Sequence, residues 1–246
     1  MNATSSLSHV LTFASIPALA VVLGGLLASI RTPSPAVRSG VQHLAAGVLF
    51  AALATELLPD VIHRRMPWVT LVGFSLGVIA MLAVKAATGK LERRAGRESA
   101  AGSAIPMSLL LVSGVDIALD GLLIGISFAA SSRQGLLVTF ALTLEVLFLG
   151  VAAAAAISGP GSRRKVIATT CAFAALLSLG AALGAYFLTG VNGVILDAVM
   201  SFAVAALLYL VTEELLTEAH EVDETPILAS MFFVGFVALL TIEMLV

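Results

Sequence analysis

The stretch VDIALDGLLIGISFAA, residues 115–130, places two aspartates four residues apart inside a long apolar run. At this spacing Asp116 and Asp120 share one face of an α-helix, so both carboxylates can reach the same ligand. A charged side chain at the centre of a bilayer costs about 2.5–3.5 kcal/mol on the translocon insertion scale. Two such residues in one apolar run therefore indicate a polar partner inside the membrane.

The composition around this stretch is that of an integral membrane protein. The chain has 246 residues, of which 59% are hydrophobic and 11% charged, whereas soluble domains carry about 25% charged residues. The net charge of −2 gives no indication of a nucleic-acid partner. The single cysteine, Cys171, excludes an internal disulfide. The first residues lack a basic signal region, so the first apolar run is expected to be a retained span.

Apolar runs long enough to cross a bilayer recur eight times, given that a crossing helix needs about 20 residues. Turn-forming and charged segments such as RTPSP (31–35) and HRRMP (63–67) separate them. We therefore predict an all-α integral membrane protein, with a single transmembrane domain over residues 1–246 and no soluble domain. The predicted spans are 9–30, 39–62, 67–88, 105–130, 134–157, 164–189, 193–217 and 226–246.

The distribution of Lys and Arg predicts the orientation, because basic residues accumulate in cytoplasmic loops. With both termini outside, three of the 13 basic residues, Arg64, Arg65 and Arg133, fall on the outer side and the other ten on the inner side. The segments 89–104 and 158–165 are then cytoplasmic. The inner residues are Arg31, Arg38, Lys85, Lys90, Arg93, Arg94, Arg97, Arg163, Arg164 and Lys165.

Two segments of the chain resemble each other. ATELLPDVIH (54–63) matches TEELLTEAH (212–220) when Glu56 is aligned with Glu214. The two segments lie on the second and seventh spans, which cross the membrane in opposite directions in the predicted topology. The match predicts an inverted repeat, an architecture common among secondary transporters, although chance similarity between two helix ends remains an alternative.

A third intramembrane acid lies on the neighbouring fifth span. Glu145 is about eleven residues into that span, so it can share a depth with Asp116 and Asp120. Three carboxylates at one depth need a metal ion or protons for neutralisation, and a protonated, hydrogen-bonded structural trio is the alternative. Oxygen ligands favour hard divalent cations such as Mg²⁺, Ca²⁺ and Mn²⁺, and carboxylates also bind Zn²⁺ and Fe²⁺.

Further acidic residues and one histidine cluster at the ends of three spans. Asp60 and Glu243 lie at outer ends and are predicted to form an entrance that concentrates cations. Glu213, Glu218 and His220 end the seventh span and are predicted to line an inner exit. For Glu218 and His220 a solvated helix end is an equal alternative, and for Asp60 and Glu243 the alternative is an ordinary surface charge, whereas Glu213 lies inside the apolar run.

These segments carry a resemblance to a known family. HLAAGVLFAALATELLPD (43–60) and LLYLVTEELLTEAHE (207–221) are similar to signatures on spans two and seven of the ZIP (Zrt-/Irt-like) divalent metal transporters, and DIALDGLLIGISF (116–128) occupies the place of their span-four motif. The chain thus resembles a divergent bacterial member. The resemblance implies eight spans, both termini outside, a multi-pass protein of the bacterial inner membrane, and a non-enzymatic carrier moving metal into the cytoplasm.

The match to the family motif is incomplete at the metal-binding positions. Asp116 stands where the family has His and Asp120 where it has Glu, while Glu145 stands at the first His of span five. Apolar residues replace the family's other ligands and its kink prolines, at Ile117, Leu119, Val146, Phe148 and Leu149. The resemblance therefore implies one metal centre, formed by Asp116, Asp120 and Glu145 with Glu214 or Glu56 assisting. Its cargo is a divalent ion of the Zn²⁺, Mn²⁺ or Fe²⁺ class, with no other cofactor.

Two other functional interpretations remain at this point. A ZIP-like protein that has lost ordinary metal transport could act as a sensor or carry another solute, because the family's binuclear site is reduced. A membrane enzyme is the second: the D-x₃-D pattern occurs in phosphatidyltransferases, but their upstream DG-x₂-AR half is absent, and so is the GxGD motif of intramembrane proteases. A homodimer is compatible with the sequence but not specified by it.

Overall fold

The computed structural model describes residues 3–30, 34–100, 107–157, 162–188, 191, 193–223 and 225–245. Within these ranges the chain is helical apart from short connections, and no strand occurs in them. The α-helices are α1 (Ala3–Ile30), α2 (Pro35–Ala52), α3 (Leu58–Arg64), α4 (Pro67–Ala100), α5 (Met107–Ala130), α6 (Ser132–Ala156), α7 (Ser162–Leu188), α8 (Gly193–Tyr209), α9 (Leu216–Ala219) and α10 (Pro226–Leu245).

Eight helical stretches among the described residues are long and apolar enough to cross a membrane. This confirms the predicted number of spans and the all-helical, multi-pass class. One boundary differs: α4 continues to Ala100, through most of the segment 89–104 that was predicted to separate two spans. That segment is rich in Ala, Lys, Glu and Arg, which are strong helix formers, so the helix continues beyond the apolar run.

The second and seventh spans each contain a π-helical segment. Leu53–Leu57 lies between α2 and α3, and Leu210–Leu215 lies between α8 and α9. Short π segments inside α-helices frequently occur at functional sites. The two residues that the repeat aligns, Glu56 and Glu214, both lie in these segments. The sequence similarity therefore coincides with a shared local distortion.

Contacts between helices divide the bundle into two groups. The first group contains α1, α5, α6 and α7, and the second contains α2, α3, α4, α8, α9 and α10. Glycines bring backbones into direct contact inside each group: a Cβ on Gly121 would lie 2.2 Å from the Leu177 carbonyl oxygen, and one on Gly47 would lie 1.9 Å from that of Phe232. Any larger residue would separate these helices, so each group is tightly packed.

The two ends of the bundle carry different polar residues. We call them the Arg38 end, with Arg38, Lys85 and Glu218, and the Arg133 end, with Arg133 and Glu243. The start of α1 lies at the Arg133 end, because the rings of His9 and Phe13 contact Phe128 at the end of α5. Glu243 in α10 pairs with Arg133. The beginning and the end of the described chain thus lie at the same end.

The outer surface of the bundle is apolar, as lipid contact requires. Large hydrophobic side chains such as Leu19, Ile79 and Phe233 are more than half exposed. Trp68, near the start of α4, is 78% exposed, and tryptophan is enriched where helices meet the membrane–water interface. This surface fits a bilayer as the surrounding medium.

Candidate metal site

The predicted trio of carboxylates comes together in the structure. Asp116 and Asp120 on α5 and Glu145 on α6 each offer an oxygen, and these oxygens lie within 4.8 Å of one another. Both helices are continuous α-helices through this region, as expected without the kink prolines. The i, i+4 spacing places both aspartates on the face that α5 turns toward Glu145.

Two members of the trio, Asp120 and Glu145, are buried, and three of their four carboxylate oxygens have no hydrogen-bond partner. Asp120 is 1% exposed and Glu145 6% exposed. Neither carboxylate oxygen of Asp120 has a hydrogen-bond partner, and Glu145 Oε2 has none. Ion pairs between the described side chains involve none of the three residues. Buried polar atoms are normally hydrogen-bonded. These carboxylate oxygens are not, so they are available as ligands for a cation that would balance their negative charge.

A cavity leads to the trio from the Arg38 end. It has a volume of about 560 Å³, and its lining includes Asp116 and Glu145 at one extremity and Arg38 and Glu221 at the other. The carboxyl groups of Glu214 and Asp116 lie within hydrogen-bonding range. Glu214, predicted as an assisting ligand, is therefore adjacent to the trio, although it comes from the second helix group.

Two other acids at the Arg38 end, Glu213 and Glu218, have cationic partners. Lys85 Nζ lies 3.0 Å from Glu213 Oε2 and 5.6 Å from the centroid of the Tyr209 ring. Arg38 Nη2 lies 3.1 Å from Glu218 Oε2, and the side-chain amide of Gln42 donates to the same oxygen. Glu213 and Glu218, predicted to line an exit, do line the cavity, but as members of ion pairs.

Two polar side chains that line this cavity were not recognised from the sequence as part of it. Lys85 was assigned to an inner loop, and Gln42 was not singled out. Both line the cavity. Lys85 lies close to the end of an apolar run, where a basic residue is usually read as a membrane-edge charge. For Gln42, the available signal was an uncharged amide inside an apolar span, four residues after Arg38.

The Arg133 end is held by ion pairs. Arg133 Nε lies 2.6 Å from Glu56 Oε1, and its Nη2 lies 3.6 Å from Glu243 Oε1. Asp60 accepts two hydrogen bonds from Arg64, one turn later in α3. Glu56, predicted as an assisting metal ligand, therefore lies beside Arg133 and outside the cavity lining, whereas Asp60 and Glu243, predicted at an entrance, do lie at this end.

A further buried acid lies away from the trio. Asp197 on α8 is fully buried; its Oδ2 lies 3.5 Å from the Thr70 hydroxyl and its Oδ1 has no partner. It does not line the cavity. Sequence analysis did not single out this residue, although it lies four residues inside the predicted seventh span, 193–217. It provides a buried aspartate outside the trio for comparison.

The remaining predicted residue, His220, ends α9 at the Arg38 end. Its ring packs edge-to-face on that of His43 from α2, with 5.1 Å between the centroids.

Comparison of the chain with models of protein families finds no match, and comparison with curated proteins finds none either. The function therefore has to be inferred from the geometry of the trio, the cavity and the two ends.

Proposed function

We propose that the chain is a ZIP-like transporter of divalent metal cations, of the Zn²⁺, Mn²⁺ or Fe²⁺ class, which carries metal into the cytoplasm through one intramembrane site. The observation that carries this proposal is the trio of Asp116, Asp120 and Glu145, which a cavity reaches and in which Asp120 and Glu145 have unpartnered buried oxygens. In the described part of the chain, this is the one group of three or more metal-binding side chains so close together.

The chemistry of the trio suits a transported ion. A divalent cation offsets two of the three negative charges. Glu214 can add a further oxygen ligand, and because it belongs to the second helix group, its distance from the trio depends on how the two groups are placed. Carboxylates release metal when they are protonated, because the ligands must be deprotonated to bind. Ile117 and Val146, at positions where the family has ligands, are fully buried apolar residues, which supports a single metal centre.

The contrast between the two ends supports alternating access. The cavity reaches the trio from the Arg38 end, and Arg133 ties together side chains of both helix groups at the opposite end. The basic residues predict that the Arg38 end is cytoplasmic, which makes this conformation inward-open. The π segments with Glu56 and Glu214 support an inverted repeat, and bacterial inner-membrane residence follows from the resemblance.

Uptake of a panel of metals into proteoliposomes tests this function. Zn²⁺, Mn²⁺, Fe²⁺, Cd²⁺ and Mg²⁺ are supplied outside, and accumulation of one or more of the first four is expected. Asp120→Asn should abolish accumulation, whereas Asp197→Asn, which neutralises another buried aspartate outside the cavity, should retain most of it. Equal uptake by both variants would contradict the proposed site.

A result without uptake would favour the other interpretation. If the wild-type chain binds metal at the trio but accumulates none of the panel, the protein is a metal-binding sensor with a ZIP-like bundle. Binding is measured by titration calorimetry on the same detergent-purified protein, so the two outcomes are separated with one preparation.

A further inference from the structure

The ion pairs at the two ends of the bundle join different elements. At the Arg38 end, Arg38 of α2 pairs with Glu218 of α9, and Lys85 of α4 pairs with Glu213, which lies between α8 and α9. All of these elements belong to the second helix group. These two pairs therefore stabilise the second group internally and do not hold it against the first.

The pairs at the Arg133 end join one helix group to the other. Arg133 lies in α6, which belongs to the first group. Its partners belong to the second group: Glu56 Oε1 lies 2.6 Å from Nε, and Glu243 Oε1 lies 3.6 Å from Nη2. The side-chain amide of Gln134 also donates to the backbone carbonyl oxygen of Glu56 over 3.4 Å. The side chains of Glu56 and Glu243 are only 14% and 12% exposed, so salt screens these pairs less than it screens pairs in open solvent.

The face of α6 that carries these contacts also leads to the metal trio. Gln134, Val138, Ala141 and Glu145 follow one another at intervals of four, three and four residues, which places them on one side of the helix. Val138 is fully buried and Ala141 is 1% exposed. The cavity lining includes Glu145 but none of the other three. The part of this face between the Arg133 end and Glu145 is therefore closed in this conformation.

We infer that Arg133 is a gating residue: its guanidinium holds α6 against the second helix group, and its release from Glu56 and Glu243 opens the face between Gln134 and Glu145. The contact has one partner on each group, so it forms only when the groups are close at this end. It stabilises the closed arrangement and not the open one, and its removal shifts the equilibrium toward opening. The use of this gate in metal transport rests on the proposed function; the closure itself does not.

Two reporter cysteines test the inference on the purified full chain, in a Cys171→Ala background and without metal. Val138→Cys reports on the Arg133 end, and Ser113→Cys, at a position that lines the cavity, reports on the Arg38 end. A minor conformation is populated at about 10% or less, so its becoming the major one should raise labelling of Val138→Cys by a water-soluble thiol reagent about 10-fold or more in Arg133→Gln. Arg133→Lys retains the charge and should retain the slow labelling.

Arg64→Gln is the matched control. Arg64 is also an arginine at this end, but it pairs with Asp60 within α3, so its removal breaks no link between the groups and should leave the labelling rates close to wild type. If Arg133→Gln fails to fold, Glu56→Gln removes the shorter pair from the other side and should also raise labelling of Val138→Cys.

Three results would overturn the inference. They are unchanged labelling of Val138→Cys in the folded Arg133 variant, an equal increase in Arg64→Gln, and an increase at both reporters, which would indicate general loosening of the bundle. Alternating access adds the expectation that labelling of Ser113→Cys falls as that of Val138→Cys rises. Failure of the proposed function would appear separately, as absence of metal uptake by the wild-type chain.

Discussion

Glu56 and Glu214 occupy aligned positions in two π segments, yet their surroundings are opposite. Glu214 lies beside Asp116 at the cavity, whereas Glu56 is held by Arg133 at the other end of the bundle. Local sequence and local backbone are alike at the two positions, so the difference arises from what the opposing helix group presents. For the transporter proposed above, this difference between aligned residues is the expected mark of a conformation that is open at one end only.

The largest effect is expected from substitutions in the trio, which the cavity connects to the Arg38 end only. Asp120→Asn or Glu145→Gln keeps the side-chain volume nearly constant but removes one anionic ligand. We expect metal affinity to fall by more than about 100-fold, beyond the range of outer-shell substitutions. Titration calorimetry with Zn²⁺ and Mn²⁺ measures this, with a thermal unfolding curve to establish that the protein folds. Affinity within threefold of wild type would contradict the assignment.

A second change removes the cation that holds the Arg133 end. Arg133→Gln leaves Glu56 and Glu243 facing each other with little solvent contact, and an unsatisfied buried group costs about 1–3 kcal/mol. We expect the free energy of unfolding in detergent to fall by that amount, and Glu56→Gln in the same chain to restore part of it.

Arg64→Gln is the matched control for this change. Arg64 pairs with Asp60 one turn away on the same short helix, and both are partly exposed, so the expected loss is only about 0–1 kcal/mol. Equal losses for Arg133 and Arg64 would mean that the Arg133 pairs contribute no more than an ordinary surface ion pair.

A third pair of variants compares the two aligned glutamates directly. Glu214→Gln should weaken metal binding by about 3–10-fold, less than a trio substitution, because Glu214 is adjacent to the trio without belonging to it. Glu56→Gln should leave affinity within twofold. The same titration measures both. A larger effect at Glu56 would show that it reaches the metal, as one interpretation of the sequence allows.

The substitutions with the smallest expected effect on the protein are single cysteines, which test only which end of the bundle faces the cytoplasm. In a Cys171→Ala background, cysteine at Ser99, next to the last residue of α4, should be shielded from an impermeant thiol reagent in intact cells. Cysteine at Ser132, exposed at the Arg133 end, should react. Neither substitution is expected to change metal affinity, and the reverse labelling pattern would invert the topology.

The sequence predicted the trio because its signals are periodic and local. Asp116 and Asp120 are charged residues in an apolar run, where they are unfavourable, and their spacing places them on one helix face. Glu145 lies at a matching depth on the next span, so helix geometry brings the three side chains together. The number of spans follows from the length of apolar runs. The structure agrees on both points.

The partners of the remaining charges could not be predicted in this way. Arg133 meets Glu56 and Lys85 meets Glu213 across more than 75 and 125 residues of chain, respectively. Such pairs depend on the packing of helices in three dimensions, which hydrophobic periodicity does not encode. The extension of α4 was missed for a different reason, since charged residues with high helix propensity were taken as a boundary.

The exposed ring of Trp68 has a practical consequence. It is the only tryptophan of the chain, and it is 78% exposed near the start of α4, at the Arg133 end. The tryptophan fluorescence of the protein, excited at a wavelength that tyrosine does not absorb, therefore comes from one indole at one end of the bundle. A water-soluble quencher added to sealed vesicles should dim this emission from the Arg133 side alone, so the native chain carries an optical marker of its own orientation.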